Sequence, residues 1–111
     1  MILHNYLSNS GRDLIYEYIN SLPEAEKIDG YTVLQHMEKG EFENLFKRWE
    51  KKVYEVYFQK NNRVFYITVD KENIYLLHSC RKQKNKTEKK DANIVRKRAK
   101  ELGNMLGRKF I

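Results

Sequence analysis

From Val53 to Ala99 the chain runs through three strand-like segments and then changes to a helical period, which restricts this half to a strand meander closed by a helix. In Val53 to Gln59, the residues Tyr54, Val56 and Phe58 share one face, while Glu55, Tyr57 and Gln59 share the other. Lys60-Asn61-Asn62 predicts a tight turn. From Arg63 to Val69, Phe65, Ile67 and Val69 follow Arg63 along one row, and Val64, Tyr66 and Thr68 take the opposite one. Asp70-Lys71-Glu72-Asn73 predicts a second turn. The run from Ile74 to Cys80, the most apolar of the three, is expected at the centre of the sheet.

That last run ends in a burst of positive charge, Cys80-Arg81-Lys82-Gln83-Lys84-Asn85-Lys86-Thr87-Glu88-Lys89-Lys90. Between Arg81 and Lys100 ten Lys or Arg residues face only two acids, Glu88 and Asp91, a local balance of +8 in a chain of net charge +7. The basicity is therefore localised at the end of a sheet, and it predicts a polyanionic partner such as nucleic acid, an anionic membrane or an acidic protein. Thr87 is placed to cap a last helix reaching about Leu102, with Ile94, Val95, Ala99 and Leu102 as its inner stripe and Gly103 as its stop.

The first half reads differently. Met1 to Leu7 fits an opening strand or a loose end. Ser8 or Ser10 is placed to cap a helix carrying Leu14, Ile15, Tyr18 and Ile19, which stops before Pro23. Ser21-Leu22-Pro23-Glu24 has the form of a capping box for a second helix. That helix runs to about Lys39, with Ala25, Ile28, Val33, Leu34 and Met37 inward and Gly40 ending it. A first sheet strand is expected around Leu45-Phe46-Lys47-Arg48-Trp49. The sum is one α+β domain over residues 1–111, with two N-terminal helices, a small, mainly antiparallel sheet of about four strands, and a C-terminal helix.

A chain of 111 residues is the size of one domain, and 41% hydrophobic residues with eight Tyr, five Phe and one Trp argue against disorder. The single Cys80 excludes an internal disulfide and fits a reducing, cytoplasmic setting. No apolar run approaches a membrane span, and the first residues do not read as a signal peptide, so no membrane role is expected. His4 and His36 are isolated and form no metal-ligand spacing with Cys80, while Trp49 and Cys80 read as core. No glycine-rich phosphate loop or nucleophile motif is present.

Several segments, in this order, resemble the RelE/ParE superfamily of toxins, specifically its phage-associated HigB-like branch. Ser10-Gly11-Arg12, Leu22-Pro23 and Gly40 resemble its two-helix start. Val53-Tyr54-Glu55-Val56 and Arg63-Val64-Phe65-Tyr66 are similar to two of its strands, and Ile74-Tyr75-Leu76-Leu77-His78 with the following basic run is similar to its last strand and catalytic loop. Ala92 to Ala99 resembles its closing helix. Departures are Tyr57 where the family often has Arg, Cys80 for an aromatic, Gln83 for the second lysine of a pair and Glu88 for Pro; no Tyr follows Tyr75.

The resemblance implies a RelE/ParE-like fold and a ribosome-dependent mRNA endoribonuclease that needs no cofactor or metal. The RNA's own 2′-hydroxyl attacks the adjacent phosphate, leaving a 2′,3′-cyclic phosphate and a 5′-hydroxyl. Fixed cations suit the charge that develops on the phosphorane. On this reading Arg63 is the phosphate clamp, the alternative being a strand-end arginine paired with Glu50 or Glu55. Lys82 and Lys84 are transition-state stabilisers or proton-transfer groups, or else members of a solvated charge run. Glu55 is a base, a partner orienting Arg63, or an ordinary salt-bridge residue. Tyr57 and Tyr66 stack on a splayed base or belong to the core. His78 serves acid–base chemistry or, on the row of Ile74 and Leu76, is a core histidine. Arg81, Lys86, Lys89 and Lys90 grip the RNA backbone, with the 96–100 cluster beside them.

The implied partners are a cognate antitoxin, commonly a helix-turn-helix protein forming a heterotetramer, together with mRNA and the ribosome, and operator DNA reached through the antitoxin. A gyrase poison of the ParE type and a non-enzymatic nucleic-acid-binding module are the competing functions.

Overall fold

The computed structural model describes residues 1–42, 46–82 and 87–111. Its elements are β1 (Ile2–Asn5), α1 (Leu14–Asn20), α2 (Glu24–Glu38), β2 (Phe46–Glu50), β3 (Val53–Phe58), β4 (Asn62–Thr68), β5 (Asn73–Arg81) and α3 (Lys89–Leu106). They make an α+β fold of three helices around one five-stranded mixed sheet in the order β1-β5-β4-β3-β2. The meander β2 to β5 is antiparallel, and β1 adds a parallel edge beside β5. The N-terminal segment is thus a fifth strand, beyond the four expected. The central strand is β4, with β5 its interior neighbour.

The alternation in β3 and β4 sorts side chains between two cores. Val56, Phe58, Val64 and Tyr66 join Ile15, Ile19, Val33, Leu34 and Met37 of α1 and α2 on one face. Phe65, Ile67 and Val53 join Val95, Ala99 and Leu102 of α3 on the other, with Phe110 of the C-terminal tail. No helix among the described residues is long and apolar enough to cross a membrane.

The helix ends depart from the expected caps. Asp13, rather than a serine, caps α1 by accepting from the amides of Ile15 and Tyr16 at 3.1 and 3.0 Å. The capping box at Ser21 does not form, because the Ser21 hydroxyl donates back to the Tyr18 carbonyl and Pro23 precedes α2 with no side-chain cap. Ile28 is exposed, and Glu26 and Gly30 take inward positions instead, Gly30 lying against Ile19 and Phe58. Glu88, not Thr87, precedes α3, since the Thr87 hydroxyl accepts from the Trp49 indole at 3.0 Å. Leu45, expected in the first meander strand, lies outside the described residues.

Gly103 does not end α3. The helix continues to Leu106 and closes at Gly107 in the left-handed region, φ 67°. Gly103 is glycine for a different reason: a Cβ there would stand 2.4 Å from the Arg108 carbonyl oxygen, where the tail folds back to bury Phe110. Gly103→Ala is expected to push this tail off the helix and to destabilise the fold by about 1–3 kcal/mol. Phe110→Ala removes the same packing, so denaturation of the double variant should show a loss well short of the sum of the singles.

Candidate nucleic-acid interface and catalytic cluster

Strand register brings the cluster together. Lys47 of β2 lies opposite Glu55 of β3, and Tyr57 of β3 lies opposite Arg63 of β4, all on the face that carries α3. Lys82, just beyond β5, is fixed by its amide, which donates to the Asn61 carbonyl at 2.8 Å across the positive-φ turn at Lys60 and Asn61.

Arg63 is almost fully buried, with a side chain 3% exposed. One terminal nitrogen donates to Glu55 Oε2 at 2.5 Å and to the Tyr57 hydroxyl at 3.0 Å, and its guanidinium lies over the Phe65 ring. The arginine is therefore the Glu55-paired member of the two roles open to it from sequence. Glu55 is equally buried, and its second oxygen lies 3.8 Å from Lys47 Nζ. Removing either partner of such a pair typically costs about 3–5 kcal/mol because the other charge stays buried alone.

Tyr57 is where the cations converge. Its hydroxyl accepts from Arg63 at 3.0 Å and from Lys82 Nζ at 3.2 Å, while Lys47 Nζ lies 4.6 Å from its ring centroid. With two cationic donors on its oxygen, the phenol's own O–H remains available as a donor. Lys47 is 58% exposed and free to meet a ligand that Arg63 cannot reach. Lys47 was missed in the sequence because its link to Glu55 depends on the β2–β3 register; β2 also carries a bulge between Arg48 and Glu50.

Other expected site residues scatter. Tyr66 lies on the opposite face, 2% exposed beneath Phe42, Phe46 and Tyr54, and burial raises its pKa. Arg81 alternates away from Cys80 to the α1–α2 side. There it donates to Glu26 at 2.8 Å and to the Lys60 carbonyl at 2.9 Å. Asn62 also donates to that carboxylate at 2.8 Å and accepts from Tyr18. The Asn62 bond and then Arg81 hold the Glu26 carboxyl below its usual range, and burial pushes Tyr18 up to about 12. This network anchors the start of the basic loop. Lys84 and Lys86 lie outside the described residues.

Lys89 and Lys90 are exposed in the first turn of α3. Cations there oppose the positive helix end, at a cost of about 0.3–1 kcal/mol each. A groove of about 650 Å³ between α3 and the tail adds Arg96, Lys97, Lys100, Arg108 and Lys109.

His78 does not share the row of Ile74 and Leu76. An irregularity opposite Phe65 and Tyr66 leaves Leu77 as an extra residue on β5, so Leu77 packs toward α3 and His78 faces it as well. His78 Nε2 meets Asp91 Oδ1 at 2.8 Å, and its pKa is lowered, chiefly by burial.

Comparison with curated proteins finds no match. The family described as "Phage derived protein Gp49-like (DUF891)" matches residues 17–100, a span that runs from α1 through the whole Tyr57 cluster and most of α3. The chain accordingly belongs to this phage-derived Gp49-like family, a toxin-like family within the RelE/ParE-like toxin superfamily.

Proposed function

We propose that the chain is the toxin of a type II toxin–antitoxin pair, an endoribonuclease of the HigB-like branch that cleaves mRNA on the ribosome. The observation that carries the reading is the Tyr57 hydroxyl, held by Arg63 and Lys82 beside Lys47, at the root of a basic loop. Lys47 and Lys82 receive the scissile phosphate and stabilise the charge that builds on its equatorial oxygens. The RNA 2′-hydroxyl attacks phosphorus as water takes up its proton; the P–O5′ bond breaks, and Tyr57 donates a proton to the leaving 5′ oxygen. Tyr57 then recovers a proton from solvent. Glu55 and Arg63 position Tyr57 and do not touch the substrate. Lys89, Lys90 and the 96–100 cluster hold the RNA or rRNA backbone.

The cognate antitoxin, a helix-turn-helix protein in a heterotetramer, silences the toxin by covering this cationic face, and carries the complex to operator DNA. The superfamily also supports a gyrase-poison reading, but three cations around one proton donor suit phosphoryl transfer better than a purely protein-binding surface.

Brief expression in bacteria, with mRNA 5′ ends and plasmid topology mapped together, tests the reading. New 5′ ends are expected, and relaxed or linearised plasmid with intact mRNA would sink it in favour of the gyrase poison. Tyr57→Phe should keep the fold and lose about 100-fold or more of the cleavage rate, the size of a general-acid contribution. Arg63→Ala should act through stability, lowering the unfolding free energy by about 3–5 kcal/mol. Lys89→Ala and Lys90→Ala should leave the rate at saturation intact. Each should also reduce the slope of log affinity against log salt by about 0.7 on single-stranded RNA.

A further inference from the structure

The extra residue in β5 has a second consequence. By turning His78 toward α3 it also places Cys80, two residues on, over the same helix end, opposite Arg63 in the strand register. Asp91, in the first turn of α3, meets them. One donor atom from each of His78, Cys80 and Asp91 lies within 4.8 Å of the other two. The His78 and Asp91 side chains are each 13% exposed, so two of the three ligands border solvent while the Cys80 thiol is buried.

The donor chemistry is selective. An imidazole nitrogen, a thiolate sulfur and a carboxylate oxygen suit a borderline-soft divalent cation, whereas calcium and magnesium prefer all-oxygen sets. We propose that His78, Cys80 and Asp91 bind a zinc-class divalent cation through three protein ligands, the fourth position being left to water. This site borders the Arg63 side of the Tyr57 cluster, since Cys80 lies opposite Arg63, but it shares no ligand with that cluster and stands whether or not the chain cleaves RNA.

The ion would replace the direct His78–Asp91 hydrogen bond. With the metal on Nε2 the imidazole proton moves to Nδ1, so the 3.4 Å contact in which Arg98 faces that nitrogen is given up, while Arg98 keeps its 2.8 Å bond to the Leu77 carbonyl. Burial pushes the Cys80 thiol up to about 12, so the metal must displace its proton on binding. Arg98, Lys90 and Arg63 present positive charge to the cluster and Glu55 and Glu88 negative charge. The cationic surroundings and the three-ligand set hold affinity below that of closed four-ligand sites. Bound metal joins β5 to the first turn of α3 and so braces the far end of the basic loop.

The purified full-length chain, stripped with a chelator and dialysed, is titrated with cobalt(II) as a spectroscopic stand-in for zinc. One equivalent should raise a thiolate-to-cobalt charge-transfer band that added zinc bleaches, and zinc should raise the melting temperature. Cys80→Ser should abolish the band and weaken binding by about tenfold or more, with Asp91→Asn also weakening it, while His36→Ala changes neither readout. Absence of the band in the wild-type chain, or a zinc-induced melting shift undiminished in Cys80→Ser, overturns the proposal. The wild-type titration decides even where a variant fails to fold.

Discussion

Arg63 carries a full positive charge into the interior between the sheet and α3, and the cluster is organised by the need to satisfy that charge. Glu55, two positions from Tyr57 on the same row of β3, supplies the neutralising carboxylate, and the Tyr57 hydroxyl supplies a second acceptor. A buried pair of this kind gains little over apolar packing, yet breaking it leaves an uncompensated charge. Its value here is positional. It fixes the Tyr57 ring at the edge of the face, and the ring in turn offers a lone pair and a π surface around which Lys47 and Lys82 assemble.

The basic loop is held at both ends by unrelated devices. At its start, Arg81 is tied to Glu26 on one face of the sheet, while the Lys82 amide is tied to Asn61. At its end, Thr87 is tied to Trp49, which packs edge-on against Phe65 and beneath Arg96. Arg96 also forms a two-bond pair with Glu50 that holds the Glu50 carboxyl below its usual range. The loop therefore leaves from an α1–α2 anchor and returns to an α3 anchor, so Lys82 is presented from a fixed root.

The side-chain alternation of β3 and β4 was legible in the sequence, and with it the separation of Glu55, Tyr57 and Arg63 from Val56, Val64 and Tyr66. A period of two needs only local spacing to be read. Register is a different quantity. That Lys47 faces Glu55, and that Arg63 and Tyr57 are opposed, depends on turn geometry and bulges that composition does not reveal. His78 shows the limit most directly: strict alternation puts it with Ile74 and Leu76, and one extra residue reverses its face. The same limit applies to the caps. Ser21 and Thr87 have the right chemistry, but each hydroxyl finds a nearer partner in Tyr18 or Trp49.

Both faces of the sheet are covered, and this decides where unpaired charge can reside. Charges inside the two layers come with partners, Glu55 with Arg63 and Glu26 with Arg81. Lys89 and Lys90 stand on the rim, at the helix end whose dipole disfavours them. In the free protein that placement is mildly destabilising. A phosphate arriving at the same end meets two ammonium groups and the positive end of the dipole together, so the unfavourable terms become favourable ones. A polyanion bound at this end would therefore offset the stability given up at the start of α3.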